Sequence, residues 1–457
     1  MARHKIVVVT CDPLTPRMAG PAIRAFQMAV ELATEHDVRL LTTSTCSIDH
    51  PTVAIAAASA ADIRNAEQWC DVFVFQGLFM DAHPFIRRSE KTLVVDIYDP
   101  FHLEQLEHGR DADPHVRVDV VASTVAILNE QLARGDFFVC ASEKQRDFWL
   151  GQLAGVGRIN PLTYDNDPAL DALIAVAPFG IDNDPPVKTA PAIKGVVPGI
   201  GPDDEVVLWG GGIYNWFDPL TLIRAVDRLR QRRPGVRLFF MGMRHPNPDV
   251  LEMRMAVAAR QLAGELGLTG SHVFFNEGWV PYGERQNFLL DADVAVSTHL
   301  DHVEAAFSFR TRVLDYIWAS LPIVSTGGDA LAALVESKAL GLTVPPGDVH
   351  ALEDALFRVL DDKALAAASR QNAAALIPTL RWSAALEPLL AFCRSPRRAP
   401  DLVDADAGPR LRRTAAVAGR ERRGAVHDLR SAARLARRGR VGHLVSRVVA
   451  RVVRRGT

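Results

Sequence analysis

The chain has 457 residues, of which 48% are hydrophobic and 23% charged, and its formal net charge is −2. It is long enough for two or three domains, and no stretch approaches the roughly 20 apolar residues that span a bilayer. Five cysteines without a CxxC pair or metal-like spacing argue against a disulfide framework and favour a reducing compartment. The first apolar run, Ile6–Val9, is too short for a signal peptide, so we expect a cytoplasmic protein.

The first half of the chain alternates short apolar runs with amphipathic segments, which predicts strands and helices in turn. The predicted strands are Ile6–Thr10, Val38–Thr42, Val72–Phe75, Leu93–Asp96 and Phe137–Ala141. One helix is predicted after the first strand, and a longer one covers Val116–Ala133. Repeated strand–helix units of this length indicate a parallel sheet with helices on both faces.

A connector with five prolines between Pro185 and Pro202 separates this half from the next, where the pattern restarts. Its predicted strands are Val206–Trp209, Arg237–Met241, Val273–Phe275, Val294–Ser297 and Ile323–Ser325. Its predicted helices are Leu220–Arg232, Val250–Leu266, Arg285–Asp291, Arg312–Ala319 and Trp382–Cys393.

We therefore predict an α/β chain with two doubly wound, Rossmann-like domains at residues 1–184 and 203–376. Residues 377–396 form a helix that returns to the N-terminal domain, and residues 397–457 form a basic tail. Ligands bind at the carboxyl ends of the strands in such sheets, so two facing domains enclose a ligand cleft. A cleft of this kind suits a reaction that joins two substrates, although the same layout serves many functions.

Two glycine-containing loops are candidate anion sites. The strand Val206–Trp209 runs into Gly210-Gly211-Gly212, where the missing side chains let backbone amides approach a phosphate. The alternative there is a tight turn. Gly20 lies at the start of the first helix, whose positive end attracts anions, and Arg24 is nearby. The alternative is a simple helix entry.

The most informative segment follows the strand Val294–Ser297 and opens the next helix. Arg310 and Arg312 stand at that opening, where they suit a diphosphate. Asp315 lies one turn further on, placed to accept hydrogen bonds from a ribose. The alternative is a buried helix with ordinary surface arginines, but arginines at a helix N-terminus oppose the helix dipole.

Several motifs follow one another in a fixed order: Val176-Ala177-Pro178-Phe179-Gly180-Ile181-Asp182, Gly210-Gly211-Gly212, Gly278-Trp279-Val280-Pro281 and Ser320-Leu321-Pro322-Ile323-Val324. As a set they resemble the retaining family-4 (group 1) glycosyltransferases of GT-B fold, over roughly residues 5–394. The resemblance implies that the second domain binds a nucleotide-sugar donor. The first domain would then bind a glycan or lipid-linked acceptor.

The sequence departs from the family at several positions. The two glutamates of the family motif fall on Phe307 and Asp315, and the nearest carboxylate to the first is Glu304. The family's cation pair after the glycine loop would fall in an uncharged stretch that contains Asn215. The histidine–aspartate pair of the family's first domain falls on Tyr98-Asp99, so either Asp99 or His102 would face the acceptor. We therefore expect a divergent subfamily.

The resemblance also implies roles for the site residues. The backbone of Val280 would bind the base and Asp315 the ribose. The remaining donor contacts are assigned to Gly20, Arg24, Gly211, Gly212, Asn215, Arg310 and Arg312. The catalytic candidates are Asp99, His102 and Glu304. The expected enzyme is a metal-independent, hexosyltransferase-type glycosyltransferase without a cofactor, acting in the assembly of cell-surface polysaccharide or glycolipid.

Three other functions compete with this one. A non-catalytic, nucleotide-binding scaffold or regulatory subunit of the same fold is favoured by the missing glutamate at Phe307. A dinucleotide oxidoreductase lacks the expected GxGxxG fingerprint with its acidic partner. A nucleotide-sugar epimerase would leave the basic tail unexplained.

Residues 410–457 contain fifteen arginines against only Glu421 and Asp428, so the rest of the chain is acidic. Between Val441 and Val453 apolar residues recur at helical spacing with arginines on the other face, a pattern typical of helices that lie on anionic membranes. We expect peripheral association with the inner membrane face through this tail. The alternative is a partner-binding or loosely ordered tail, and nucleic acid is disfavoured because the tail lacks aromatic residues.

Overall fold

The computed structural model describes residues 3–247, 250 and 252–404. The tail helix predicted within residues 410–457 lies outside the described residues. Among those that are described, every helix is too short or too polar to cross a membrane.

The first domain is built on seven strands, β1 Lys5–Thr10, β2 Asp37–Thr42, β3 Ala54–Ala57, β4 Val72–Gln76, β5 Thr92–Asp96, β6 Phe137–Cys140 and β7 Ile174–Val176. They form a parallel sheet in the order β3-β2-β1-β4-β5-β6-β7. The middle residues of the central strands are apolar and buried, because helices cover both faces of the sheet. These helices are α1 Gly20–Leu32, α2 Ala60–Trp69, α3 Phe79–Ala82, α4 Phe101–His108, α5 Pro114–Arg134, α6 Glu143–Gly155 and α7 Pro161–Tyr164.

The second domain repeats this plan with six strands, β8 Glu205–Trp209, β9 Val236–Phe240, β10 Val273–Phe275, β11 Val294–Ser297, β12 Ile323–Thr326 and β13 Gly341–Val344. They form a parallel sheet in the order β10-β9-β8-β11-β12-β13. The strand order reverses between β8 and β11, the place where doubly wound sheets bind ligands. Its helices are α8 Pro219–Arg232, α9 Arg254–Glu265, α10 Arg285–Leu289, α11 Val303–Phe307, α12 Arg312–Trp318, α13 Ala330–Ser337, α14 Val349–Asp361 and α15 Lys363–Leu380.

The chain then returns to the first domain through three short helices, α16 Trp382–Ala385, α17 Glu387–Arg394 and α18 Pro400–Val403. The ring of Phe392 stacks on Phe137 of β6 with centroids 4.2 Å apart, and Arg394 pairs with Glu35 at 2.7 Å. The single helix predicted over Trp382–Cys393 is wrong, because the chain breaks at Leu386. Pro388 has no amide hydrogen and fits only the first turn of a new helix.

Two further differences concern the predicted elements. The helix predicted from Val250 begins only at Arg254, because Met253 is extended and its buried side chain belongs to the preceding loop. The strands β3, β7 and β13 were not predicted. β3 is exposed along most of its length, β7 has only three residues, and three of the four residues of β13 are half-buried, so none of them shows the long apolar run of a central strand.

The motif around Gly180 joins the interdomain linker to α16. A Cβ atom at Gly180 would lie 2.6 Å from Cα and 2.7 Å from the backbone nitrogen of Trp382. We expect Gly180→Ala to lower the free energy of unfolding by about 1–3 kcal/mol, because these backbone atoms have no room to move. Chemical denaturation measures the change. Gly151→Ala in α6 is the control, since no atom lies within 4 Å of its added Cβ; a comparable loss there would contradict the steric explanation.

Candidate active site

The carboxyl ends of the two sheets face each other across a cleft that is crossed by direct contacts. The Trp279 indole donates to the carbonyl of Met18 at 3.1 Å, and the Tyr282 amide donates to the carbonyl of Pro16 at 2.8 Å. On the other side, Gln145 donates to the carbonyl of Phe307 at 2.8 Å. The loops that follow the strands of one domain therefore contact those of the other domain directly.

Arg312 is a buried cation without an acidic partner among the described residues. Its guanidinium lies against the rings of Trp209 and Phe217, 4.4 and 4.0 Å from their centroids, and the residue is 7% exposed. Nη2 donates to the carbonyl of Gly212 at 2.7 Å, while Nη1 is buried without a hydrogen-bond partner in the described part of the chain. Burial lowers the pKa of Arg312 to about 10, so the guanidinium stays charged at neutral pH. An uncompensated buried charge is costly, and an anionic ligand would supply the missing partner.

The glycine loop between β8 and α8 lies against this arginine. A Cβ atom at Gly210 would lie 2.9 Å from the Tyr316 ring, and one at Gly212 would lie 2.9 Å from the Trp279 ring. Gly211 has a φ of +73° and open space around it. The Gly210 amide donates to the Tyr316 hydroxyl at 2.8 Å, which fixes the loop to α12. Glycine is therefore needed at two of these positions for close packing and at the third for a left-handed backbone.

Arg310 differs from Arg312 because its charge is neutralised inside the protein. Its Nη2 lies 3.0 Å from Oε2 of Glu304, and both residues are buried. Glu304 also accepts a hydrogen bond from Ser308 and lies 3.5 Å from His302. Both carboxylate oxygens of this catalytic candidate are thus engaged within the second domain. The structure brings Glu304, Arg310 and Arg312 together, but Arg312 holds the uncompensated charge.

The predicted ribose ligand Asp315 pairs with an arginine that sequence reasoning missed. Arg285 Nε lies 3.0 Å from Asp315, and Arg285 Nη2 lies 2.9 Å from Asp182 in the linker. The guanidinium also lies over the rings of Tyr282 and Trp318. Its sequence signal is weak, because it follows the Val280-Pro281 motif as an ordinary helix-opening residue. Asp315 keeps its predicted role as a proposal, with one oxygen engaged by Arg285.

Two other predicted donor contacts lie at the edge of the site. Asn215 is buried, and its Oδ1 accepts a hydrogen bond from the Met255 amide at 3.2 Å, which ties the glycine loop to α9. Val280 is buried in the loop between β10 and α10. Both donor contacts therefore remain predictions.

Arg24 and Gly20 lie in the first domain, where Asp96 neutralises the Arg24 guanidinium, although its Nη1 has no hydrogen-bond partner among the described residues. Its Nε and Nη2 contact the two oxygens of Asp96 at 2.7 and 2.9 Å, and Nη2 also donates to the carbonyl of Ala177. The residue is completely buried between the rings of Tyr98 and Phe179. This geometry favours a structural ion pair over the predicted donor contact. Gly20 begins α1 as predicted, and its added Cβ would be 4.0 Å from the nearest atom.

The acceptor-side candidates of the first domain follow β5. The carboxyl groups of Asp99 and Glu104 are hydrogen-bonded to each other, and burial raises the pKa of Asp99 to about 6. Burial lowers the pKa of His102 to about 4, so its ring is neutral at pH 7. That ring stacks on Phe148, which in turn packs against Phe307 of the second domain with centroids 4.7 Å apart. The residue that replaces the family glutamate is therefore an interdomain packing contact.

The carboxyl pair predicts a pH dependence of stability. The pKa of Asp99 is higher in the folded protein than in the unfolded chain, so its contribution is present at low pH and is lost as the pH rises from about 4 through about 6. We expect Asp99→Asn to gain stability relative to the wild type across this window. Denaturant unfolding at several pH values measures the difference. A difference that is constant between pH 4 and 7 would refute the shared-proton arrangement.

A cavity of about 560 Å³ opens beside the glycine loop, lined by Gly212, Ile213, Tyr214, Met243, Arg244, His245, Pro246, Val250, Glu252, Met253 and Trp279. The His245 ring lies between Tyr214 and Trp279, with centroid distances of 6.1 and 5.6 Å. Arg244 is exposed at the cavity. Sequence reasoning missed both Arg244 and His245, although they follow the carboxyl end of β9, where ligands are expected. They bring basic groups to the cavity beside the glycine loop, where the cation pair expected from the family resemblance is absent.

Comparison with known proteins decides the nature of this domain. Residues 204–362 match the model of a family described as Glycosyl transferases group 1. The second domain is therefore similar to the group 1 glycosyltransferases. The chain is also 29% identical over 196 residues to D-inositol 3-phosphate glycosyltransferase from Saccharomonospora viridis. That match covers 42% of this chain and 43% of the relative, so the chain spans less than half the length of the relative it matches.

Solved structures share the fold across both domains. Sucrose-phosphate synthase from Thermosynechococcus elongatus has a TM-score of 0.61 at 15% identity, over 86% of this chain and 98% of its own. Anabaena HepE in complex with UDP-glucose has a TM-score of 0.63 at 14% identity, over 86% and 100%. WaaG, a glycosyltransferase involved in lipopolysaccharide biosynthesis, has a TM-score of 0.59 at 17% identity, over 85% and 100%. The predicted GT-B fold is therefore confirmed for the described domains.

Proposed function

We propose that the protein transfers a sugar from a nucleotide-sugar donor to an acceptor hydroxyl group. The single observation that carries the proposal is Arg312, a buried guanidinium beside the glycine loop that has, among the described residues, no carboxylate partner and no hydrogen-bond partner for its Nη1. Anabaena HepE, which shares the fold, was solved with UDP-glucose. A nucleoside diphosphate carries the charge that Arg312 lacks, and buried cations with no partner mark functional sites.

In this proposal the diphosphate lies against Arg312 and the backbone of Gly211 and Gly212. As the sugar–phosphate bond breaks, negative charge grows on the leaving diphosphate, and a preorganised cation stabilises it. Arg310 lies in the same region, but its charge is paired with Glu304, so Arg312 supplies the uncompensated charge. Asp315 binds the ribose and the Val280 backbone binds the base. The chemistry that we assign is retaining, hexosyltransferase-type and metal-independent, as the resemblance to the family-4 enzymes implies.

We place the acceptor against the first domain, where Asp99 and His102 lie near the interdomain contact of Phe307. The reaction would serve the assembly of a cell-surface polysaccharide or glycolipid on the cytoplasmic side. The basic tail at residues 410–457 would bring the enzyme to an anionic membrane surface; this part of the proposal depends on sequence alone.

A non-catalytic scaffold is less favoured by these observations. A scaffold has no need for a buried arginine without a carboxylate partner, because such a group lowers stability unless it binds an anion. The loss of the family glutamate at Phe307 has a packing explanation in the contact with Phe148.

A thermal-shift panel of UDP-, GDP- and dTDP-sugars tests the donor proposal. Binding raises the apparent stability by RT ln(1 + [L]/Kd), so a 100-fold excess over Kd adds about 2.7 kcal/mol. We expect one nucleotide class to raise the melting temperature, and the matching nucleoside to raise it far less. If no nucleotide sugar shifts the melting temperature, the transferase proposal is wrong.

Deleting residues 410–457 tests the membrane proposal separately. We expect the full chain to co-sediment with anionic vesicles and the truncated chain to stay in the supernatant. Equal sedimentation of both would refute a membrane role for the tail and leave the donor proposal untouched.

A further inference from the structure

We propose that the donor nucleotide carries a keto base (uracil, thymine or guanine) and that Arg244 and His245 select it against adenine and cytosine. These two residues follow the carboxyl end of β9 and line the cavity beside the glycine loop. The inference rests on the proposed function, because it names the base class of the donor that the same site would bind.

The cavity adjoins the place that is assigned to the diphosphate. Gly212 lines the cavity, and the carbonyl of the same residue accepts the hydrogen bond from Arg312 at 2.7 Å. Trp279 also lines it and directly precedes Val280, whose backbone is assigned to the base. A base is joined to its diphosphate only through the ribose, so the base of a nucleotide held at Arg312 has to lie close to Gly212. The volume of about 560 Å³ is typical of ligand pockets and has room for a purine or a pyrimidine.

The walls of the cavity suit a flat aromatic ring. Tyr214, His245 and Trp279 line it with their rings, and the Tyr214 and Trp279 centroids lie 6.1 and 5.6 Å from that of His245. The Trp279 ring is held in place, because its nitrogen donates to the carbonyl of Met18 and a Cβ added at Gly212 would lie 2.9 Å from it. Stacking on such rings favours every base, so selection among the bases must come from polar groups.

The two polar side chains at the end of β9 both present hydrogen-bond donors. Arg244 is exposed at the cavity, forms no ion pair with any described residue, and has donor groups only. The Nδ1 atom of His245 accepts a hydrogen bond from the Asn247 amide at 3.0 Å, and burial lowers the pKa of His245, so its ring is neutral at pH 7. A neutral ring that accepts at Nδ1 carries its hydrogen on Nε2, which makes that atom a donor as well.

Donors of this kind distinguish bases by the exocyclic group at C4 of a pyrimidine or C6 of a purine. Uracil, thymine and guanine carry a carbonyl oxygen there, whereas cytosine and adenine carry an amino group, which is itself a donor. An amino group that faces Arg244 and His245 would leave donors unpaired in a partly buried site, which is costly. Glu252, an acidic residue at the cavity, is paired with Arg260 at 2.5 Å. The polar groups of the cavity therefore match a keto base.

A phosphate in place of the base fits the cavity less well. The apolar side chains that complete the lining are Ile213, Met243, Pro246, Val250 and Met253. A doubly charged group loses hydration against such walls, and the neutral His245 returns no charge to compensate. Arg244 would then face the phosphates alone, while the buried Arg312 kept its uncompensated charge.

The experiment compares nucleoside diphosphates that differ only around the exocyclic group, by calorimetric titration of the full chain. IDP and ADP differ at C6 and N1, and UDP and CDP differ at C4 and N3. We expect the keto member of at least one pair to bind about tenfold more tightly than the amino member, because a matched contact between a side chain and a base edge discriminates by this order. The pair that binds more tightly shows whether the preferred base is a purine or a pyrimidine.

Arg244→Met and His245→Phe are each expected to lower the keto-to-amino affinity ratio severalfold, because each variant removes a donor and keeps most of the side-chain volume. Arg230→Met is the control and should keep the wild-type ratio, since Arg230 is paired with Asp227 on α8 outside the cavity.

Three outcomes would overturn the inference: a wild-type ratio near one, tighter binding of the amino members, or an equal loss of affinity for all diphosphates in Arg244→Met. The last of these would assign Arg244 to the phosphates. Failure of the proposed function looks different, because then none of the nucleoside diphosphates binds the wild type, and the inference falls with it.

Discussion

Arg312→Met is expected to weaken nucleoside-diphosphate binding about 100-fold, because charged hydrogen bonds in a desolvated site contribute roughly 1.5–3 kcal/mol. Binding of the nucleoside alone should change little, since the guanidinium is assigned to the phosphates. Titration of UDP and uridine, or of the corresponding pair for the preferred base, measures both affinities. Equal losses for nucleoside and diphosphate would contradict the phosphate role.

The same substitution should leave the unliganded protein at least as stable as the wild type. Arg312 has no carboxylate partner in the described part of the chain, so its removal relieves a desolvation cost. Methionine fills the space between Trp209 and Phe217 without a charge. Arg230→Met is the control, because this arginine is paired with Asp227 on α8 outside the cavity, and it should not affect the nucleotide affinity. A marked fall in the melting temperature of Arg312→Met would show that the arginine is structural.

Arg24→Met is expected to have the opposite profile, with a loss of about 3–5 kcal/mol of unfolding free energy. It leaves Asp96 buried without its bidentate partner and removes the hydrogen bond to Ala177. The nucleotide affinity of the folded fraction should stay at the wild-type value. Denaturant unfolding and titration together separate the two effects. If Arg24→Met reduced the nucleotide affinity as strongly as Arg312→Met does, Arg24 would have to contact the donor.

The loss of unfolding free energy in Arg24→Met should also depend on pH. Burial raises the pKa of Asp96, and without Arg24 this carboxyl takes up a proton more readily in the folded state. A raised carboxyl pKa gives stability that is present at low pH and is lost as the pH rises. The destabilisation should therefore be smaller at pH 5 than at pH 8. The double variant with Asp96→Asn should recover part of the loss, since no ionisable group remains buried unpaired.

These two arginines show where sequence reasoning reached its limit at the site. Both were predicted to bind the donor, because each follows a strand at the start of a helix. The sequence does not reveal that Arg24 pairs with Asp96, which lies 72 positions away, nor that Arg312 has no carboxylate partner among the described residues and donates to a backbone carbonyl instead. Whether a buried cation is compensated depends on long-range contacts, and local patterns carry no information about those. Sequence reasoning missed Arg285 for the same reason, because its ion pairs with Asp182 and Asp315 are also long-range contacts.

The sequence by itself determined the two parallel sheets, most of their central strands and the nature of the second domain. Central strands of such sheets are buried on both faces, so they appear as continuous apolar runs, and ordered glycine and proline motifs mark the loops between them. Only the tertiary structure decided which charges are satisfied, that Phe307 is a packing contact, and that Asp99 and Glu104 are hydrogen-bonded to each other. Those outcomes arise from side chains that fold into contact across two domains, where burial fixes the cost of each charge.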